Sequence, residues 1–205
     1  MYIVWRLCNM INLENSKTKE NLMRAFSGER QARNRYTFAA SVAKNQKYAI
    51  IDQLFTYTAN QERAHAWEFM KRLKEFNGKE IDITASYPVE VETSLVTLLK
   101  SASEHEAAEG NEIYPEFSRI AKEEGFDQIA TLFDQIASIE LIHSERFARY
   151  AQELKNGTLF KKSEEVKWLC TNCGYIYEGT EAPKVCPVCD HPQGYYILFE
   201  NSDFE

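Results

Sequence analysis

Two stretches of this chain repeat one pattern, Glu62-x-x-His65 and Glu140-x-x-His143. On a helix, residues three apart share a face, so each pair offers a carboxylate and an imidazole to one point. Those donors suit a divalent first-row metal. Glu29, Glu106 and Glu109 add three more acids to the set. A second pattern lies near the C-terminus. Cys170-Thr-Asn-Cys173 and Cys186-Pro-Val-Cys189 are two CxxC knuckles with 12 residues between them. One knuckle alone could be a redox motif. Two at this spacing read as a tetrahedral four-sulfur site, and zinc and iron both fit it.

The elements that must hold these groups follow from hydrophobic period and breakers. Helical patterning runs over about 18–44, 48–76, 93–124 and 127–155. Asn77-Gly78, Gly125 and Asn156-Gly157 supply the stops. Two short connections and a long one, 77–91 with Pro88, suit an all-α four-helix bundle with a single crossover. The expected division is an N-terminal extension at 1–10, the bundle at 11–157, a linker at 158–164 and a small β-rich metal-binding module at 165–205. About 40 residues bury too little to fold unaided, so a metal is expected to hold the module together.

At 100° per residue, Ile51, Leu54, Phe55, Thr58, Glu62, His65, Phe69, Leu73 and Phe76 form one stripe. Ile129, Leu132, Phe133, Ile136, Glu140, His143, Phe147, Ala151 and Leu154 repeat it position for position. Leu22, Ala25, Ala32 and Tyr36 flank Glu29 in the first helix. In the third, Leu95, Leu98, Leu99, Ala102, Glu109 and Ile113 flank Glu106. Glu29 and Glu62 are 33 residues apart and Glu106 and Glu140 are 34 apart, as an internal repeat of two helix pairs requires. Glu104 and Glu112 fall on the solvent side, and His105 falls off the ligand stripe. Burying the striped acids unpaired would cost several kcal/mol each or force protonation. Two metal ions remove that cost. One Glu from each of two helices and Glu-x-x-His from the other two is the donor set of di-iron and di-manganese bundles.

Composition narrows the rest. With 31 acids against 24 Lys and Arg, the net charge of −7 argues against a nucleic-acid partner. No apolar run is long enough to span a membrane. There is no GxGxxG and no GxxxxGK[ST], so no nucleotide-binding loop is evident. Residues 1–9 are apolar but lack a small-residue cleavage site. With cysteines spaced for metal, the expected compartment is the cytoplasm. Cys8 reads as a free thiol in a tail.

The run GERQARNRY (28–36), the two Glu-x-x-His pairs, EAAEGNEIYP (106–115) and the cysteine module together resemble rubrerythrin over roughly residues 11–205. The resemblance implies a ferritin-like bundle with two iron ions on Glu29, Glu62, His65, Glu106, Glu109, Glu140 and His143. It implies one more iron on Cys170, Cys173, Cys186 and Cys189 in a rubredoxin-like domain, or zinc if that site is mis-metallated. Tyr36 and Tyr114 become hydrogen-bond donors beside the irons. The implied activity is reduction of hydrogen peroxide to water, for protection against oxidative stress. The implied electron donor is a rubredoxin or an NAD(P)H-dependent reductase. A homodimer or higher homo-oligomer is implied, with the tail of one subunit serving the other. The internal repeat isolates one asymmetry, because Glu109 has Ala32 as its counterpart. The resemblance implies that one iron moves between Glu109 when oxidised and His65 when reduced. Charge accounts for the direction, since a ferric ion favours an anionic oxygen ligand. Two other functions fit parts of the pattern. One is a ferritin-type ferroxidase, and the other is a binding protein whose tail is a zinc ribbon.

Overall fold

The computed structural model describes residues 12–202. The expected extension at 1–10, with Cys8, lies outside the described residues. Helix α1 spans Lys17–Asn45 and α2 spans Ala49–Arg72, followed by a short 3-10 turn at Lys74–Phe76. An irregular crossover leads to α3, Leu95–Ala108. A π-helical turn, Glu109–Ile113, joins α3 to α4, Tyr114–Glu123, without a break in direction. Helix α5 spans Asp127–Lys155. The α1–α2 hairpin packs on the hairpin of α3, α4 and α5, which is the repeat read from spacing.

The helix ends are set by identifiable groups. Ser16 Oγ accepts from the Lys19 amide at 3.0 Å, and Ser94 Oγ accepts from Thr97 at 3.3 Å. Glu124, at the end of α4, accepts from the Lys17 and Thr18 amides at 2.9 Å each. It thereby caps α1 from the other hairpin and complements its N-terminal partial positive charge. Gly78, Gly125 and Gly157 all take positive φ after helix ends, as the sequence breakers implied.

The matched stripes of α2 and α5 are the core. Phe55, Phe69, Phe133 and Phe147 are fully buried, and Leu154 is half-buried at the end of α5. The third helix departs from its expected phase. Ile113, placed in the buried stripe by a constant 100° step, is 40% exposed, and Tyr114 takes the buried position. The π turn explains the change. The Tyr114 amide bonds the carbonyl of Glu109, five residues back, so the turn holds one extra residue. Pro115 follows at once, at the start of α4. The local departure from α-helical geometry is therefore a π turn placed just before Pro115.

Gly110 lets this turn approach α5. A Cβ there would lie 2.7 Å from Leu141 Cγ and 2.9 Å from the Ala137 carbonyl oxygen. The carbonyl belongs to a helix backbone and cannot step aside. Gly110→Ala is expected to cost about 1–3 kcal/mol through overpacking. Thermal unfolding measures that loss, and an unchanged midpoint would contradict the packing argument.

The C-terminal module is a three-stranded antiparallel sheet in the order β2-β1-β3. Strand β1 is Lys161–Cys170, β2 is Ile176–Glu181 and β3 is Tyr196–Leu198. Strand β1 includes Lys161–Glu164, the stretch expected to be linker, and Lys161 is in register with Glu181. The mostly exposed polar residues at the start of this strand carry the same signature as a linker. Trp168 and Tyr196 fill the small core, with Trp168 Nε1 donating to the Gly179 carbonyl at 2.9 Å. The module sits against the α1–α2 turn. Gly194 lies so near Lys47 that an added Cβ would fall 2.0 Å from the Lys47 carbonyl oxygen. Tyr48 and Phe160 pack together at 6.0 Å between ring centroids.

Candidate metal centres

Midway along the bundle, two groups of ligand atoms converge. Glu29, Glu62, His65 and Glu140 form one, and Glu62, Glu106, Glu140 and His143 form the other. Within each, the ligand atoms lie within 4.8 Å of one another. Glu62 and Glu140 belong to both groups, one from each hairpin. Every one of these side chains is buried. His65 Nδ1 stands 3.0 Å from Glu140 and 3.3 Å from Glu62. His143 Nδ1 stands 2.8 Å from Glu140 and 3.1 Å from Glu62.

The donors behave as a metal site should. Both oxygens of Glu62 and of Glu140, one each of Glu29 and Glu106, and the Nδ1 atoms of both histidines are buried with no partner in hydrogen-bonding geometry. Eight orphaned atoms aimed at two points are costly unless a cation joins them. Without one, protons take that role. Burial, then the charges of Glu140 and Glu62, push the Glu29 carboxyl well above the usual range. Burial and the charge of Glu62 do the same to Glu106. Against its own burial, the close imidazoles of His143 and His65 hold Glu62 down at about 2. The residues present fit two divalent ions.

Outer contacts aim the ligands. Gln61 Oε1 lies 3.0 Å from His143 Nε2, which leaves Nδ1 facing the carboxylates. Sequence patterning missed Gln61, because a polar residue beside Glu62 carries no periodic signal. Tyr36 donates to Glu106, and Tyr114 donates to Glu29 at 2.5 Å. Burial first, then the neighbouring Glu106 and Glu109 respectively, push both phenols well above their usual range, so both remain donors. The two bonds cross, each hairpin's tyrosine serving the other hairpin's carboxylate. Tyr36 follows Glu29 by seven residues and Tyr114 follows Glu106 by eight. The extra residue of the π turn makes those positions equivalent.

Glu109 differs from the other six expected bundle ligands. It stands in the π turn, partly buried, and belongs to neither ligand group. Burial, then the charges of Glu140 and Glu62, push its carboxyl up to about 8. His65 occupies the first group in this arrangement. Glu104 and Glu112 are exposed, as their phase implied. His105 faces away from both groups and lies 3.4 Å from Glu90 on the crossover.

The four cysteines converge in the module. Cys170 and Cys189 sulfurs are 3.8 Å apart, and Cys173 and Cys186 sulfurs are 3.7 Å apart. A tetrahedron with metal–sulfur bonds of about 2.3 Å has edges of about 3.8 Å. The two knuckles share one hydrogen-bond pattern. Gly174 and Asp190 amides bond back to Cys170 and Cys186, whose own amides bond to Tyr175 and His191 carbonyls. Gly174 and Asp190 both take positive φ, which Gly174 adopts without strain. A backbone amide at His191 holds the Cys189 thiol down at about 6, favouring thiolate. Cys173 is pushed up to about 12: its bond to the Tyr175 amide lowers it, and burial and the neighbouring sulfurs outweigh that. A cation is what lets four such sulfurs be thiolate together.

Comparison with known proteins agrees with both centres. The family model for rubrerythrin matches residues 20–151, and that for the rubrerythrin rubredoxin-like domain matches 168–197. The chain is 45% identical to rubrerythrin of Clostridium perfringens over 94% of its length and 100% of the relative's. It is 42% identical to rubrerythrin of Nitratidesulfovibrio vulgaris, over 92% of this chain and 97% of that one. Among solved structures, fully reduced, all-ferrous nigerythrin aligns over 97% of this chain and 98% of its own, at 28% identity and TM-score 0.60. A bacterioferritin of Desulfovibrio desulfuricans aligns over 69% of this chain and 82% of its own, at 25% identity and TM-score 0.63. A di-iron donor set in a ferritin-like bundle, a rubredoxin-like four-sulfur cluster and relatives of matching length leave one assignment: the chain belongs to the rubrerythrin family.

Proposed function

We propose that this protein is a non-haem peroxidase that converts hydrogen peroxide, two protons and two electrons into two water molecules. The observation that supports the reading is the presence in one chain of two metal groups sharing Glu62 and Glu140 and a separate four-sulfur cluster. Iron held by the bundle ligands would supply the two electrons, and iron held by the four cysteines would supply one-electron chemistry to replace them. The protein's own part is to hold that chemistry. Glu62 and Glu140 tie the two groups together, and Glu29, His65, Glu106 and His143 close them. Tyr36 and Tyr114 fix two carboxylates and exclude water from them. Glu109 is the acid available to the site when its charge rises. In Glu109→Ala, the bundle is expected to keep both irons, with peroxide turnover slowed about tenfold or more. Metal analysis and stopped-flow rates check this, and unchanged kinetics would remove Glu109 from the mechanism.

A dimer or higher homo-oligomer fits the geometry. The module packs at the α1–α2 turn, while Glu62 lies roughly 20 Å along α2 from Tyr48 at about 1.5 Å per residue. A second copy can bring its cysteine cluster nearer to the bundle centre. Electrons enter from a rubredoxin or an NAD(P)H-dependent reductase. Among the described residues no helix is long and apolar enough to cross a membrane. The reading is tested by reducing the protein without oxygen and mixing it with peroxide or dioxygen. Rapid return of the four-sulfur colour with peroxide, and slower return with dioxygen, is expected. A colourless module carrying zinc would overturn the relay, and equal rates would favour a ferroxidase.

A further inference from the structure

A cavity of about 280 Å³ opens beside the di-metal groups, on the Glu109 side. The crossover forms its roof through Tyr87 and Pro88. Glu109 and Tyr114 line its inner end, and Arg35 and His105 line its wall. The roof is fastened at several points. Tyr87 Oη donates to the Arg24 carbonyl at 3.2 Å, and Arg24 Nε donates to the Thr84 carbonyl at 3.1 Å. Farther along, Glu90 lies 3.8 Å from Arg35 and 3.4 Å from His105. Nε of Arg35 and Nδ1 of His105 are buried without hydrogen-bond partners. Both atoms face Glu90, so this cluster ties the crossover to α1 and α3 along the cavity wall.

Gly28 lines the cavity between Tyr87 and Glu109. A Cβ built there would lie 3.7 Å from Glu109 Oε1 and 3.8 Å from Tyr87 Cε1. The missing side chain of Gly28 thus leaves the space between the roof and the acid. A methyl group would be tolerated at ordinary contact distance, whereas a leucine side chain would fill the gap.

Resting on the peroxidase reading, we propose that this cavity is the port through which the oxidant reaches the bundle centre, with Tyr87 and Gly28 setting its size limit. The substrate class is then hydrogen peroxide and small hydroperoxides, with bulky aryl-alkyl hydroperoxides excluded. The chemistry of an admitted hydroperoxide is the same two-electron cleavage. The O–O bond breaks, two protons and two electrons are taken up, and one alcohol and one water leave.

Two substitutions of opposite effect test the port. The reduced, iron-loaded protein is mixed with hydrogen peroxide or with cumene hydroperoxide, and re-oxidation is timed. Tyr87→Ala is expected to raise the cumene-to-hydrogen-peroxide rate ratio about tenfold or more. Gly28→Leu is expected to slow both oxidants, and Gly28→Ala controls for folding. A second readout uses the metal-free protein. A water-soluble carbodiimide with glycinamide labels accessible carboxyls, and peptide mass reports the fraction at Glu109. Labelling of Glu109 is expected to speed up in Tyr87→Ala and slow down in Gly28→Leu. An unchanged rate ratio or unchanged labelling in Tyr87→Ala would overturn the port. A wild-type protein inert to hydrogen peroxide would instead overturn the peroxidase reading, and the labelling would then decide the port alone.

Discussion

Glu62→Ala is expected to empty the bundle of both irons at once. Glu62 lies in both ligand groups, so its loss takes an oxygen from each. It also removes a carboxylate that faces both histidines, which stand 3.3 Å and 3.1 Å from it. Glu29 and Glu106 each serve one group, so Glu29→Ala and Glu106→Ala are expected to leave one iron bound more tightly than the other. Peroxide turnover in Glu62→Ala should fall by more than about a hundredfold, since outer-contact changes alone reach that range. Iron counted per chain after gel filtration measures the first effect, and helical circular dichroism checks that the bundle has folded. The four-sulfur iron should be unaffected, because no residue is shared between the centres. Retention of two bundle irons would show that Glu62 does not bridge the groups.

Cys186→Ala should divide the catalytic cycle where Glu62→Ala ends it. Cys186 is fully buried in the core of the module and is one of four sulfurs in the cluster. With three sulfurs the site is open, and the small sheet loses the metal energy that offsets its chain entropy. The visible colour should vanish, and residues 161–202 should become protease-sensitive. The bundle ligands remain, so one turnover of chemically reduced protein with peroxide should proceed at close to its normal rate. Steady-state turnover fed by an external donor should drop by about a hundredfold or more, because the proposed relay is gone. Full steady-state activity without the colour would show that electrons bypass the cysteines.

The parts of the molecule with strong period were legible in the sequence. The stripes of α2 and α5 carry large apolar residues at a constant step, so their phase places Glu62, His65, Glu140 and His143 correctly in the core. The CxxC knuckles are local motifs, and their convergence follows from spacing alone. The third helix was read one residue out of phase beyond Gly110. A constant 100° step cannot anticipate an added residue, although Gly110-Asn111 was a low-propensity signal inside the helix. Crosswise bonds from Tyr36 and Tyr114 depend on two hairpins packing face to face, which no local pattern encodes. The same is true of the Arg35–Glu90–His105 cluster, whose members come from three separate elements. The start of β1 was lost for a different reason, since Lys161–Glu165 have too little burial to show alternation.

The crossed tyrosine bonds bear on how such a chain could arise. Each ligand group draws side chains from both hairpins, and each hairpin's carboxylate is steadied by a phenol from the other. A single hairpin therefore holds neither a complete coordination shell nor its own support. Two identical hairpins brought together would supply both, symmetrically. In the present chain the copies differ, because the second hairpin carries one extra residue at the π turn and Glu109 where the first has Ala32. The geometry is that of two like hairpins riveted across one shared set of donors, with the asymmetry confined to the π turn.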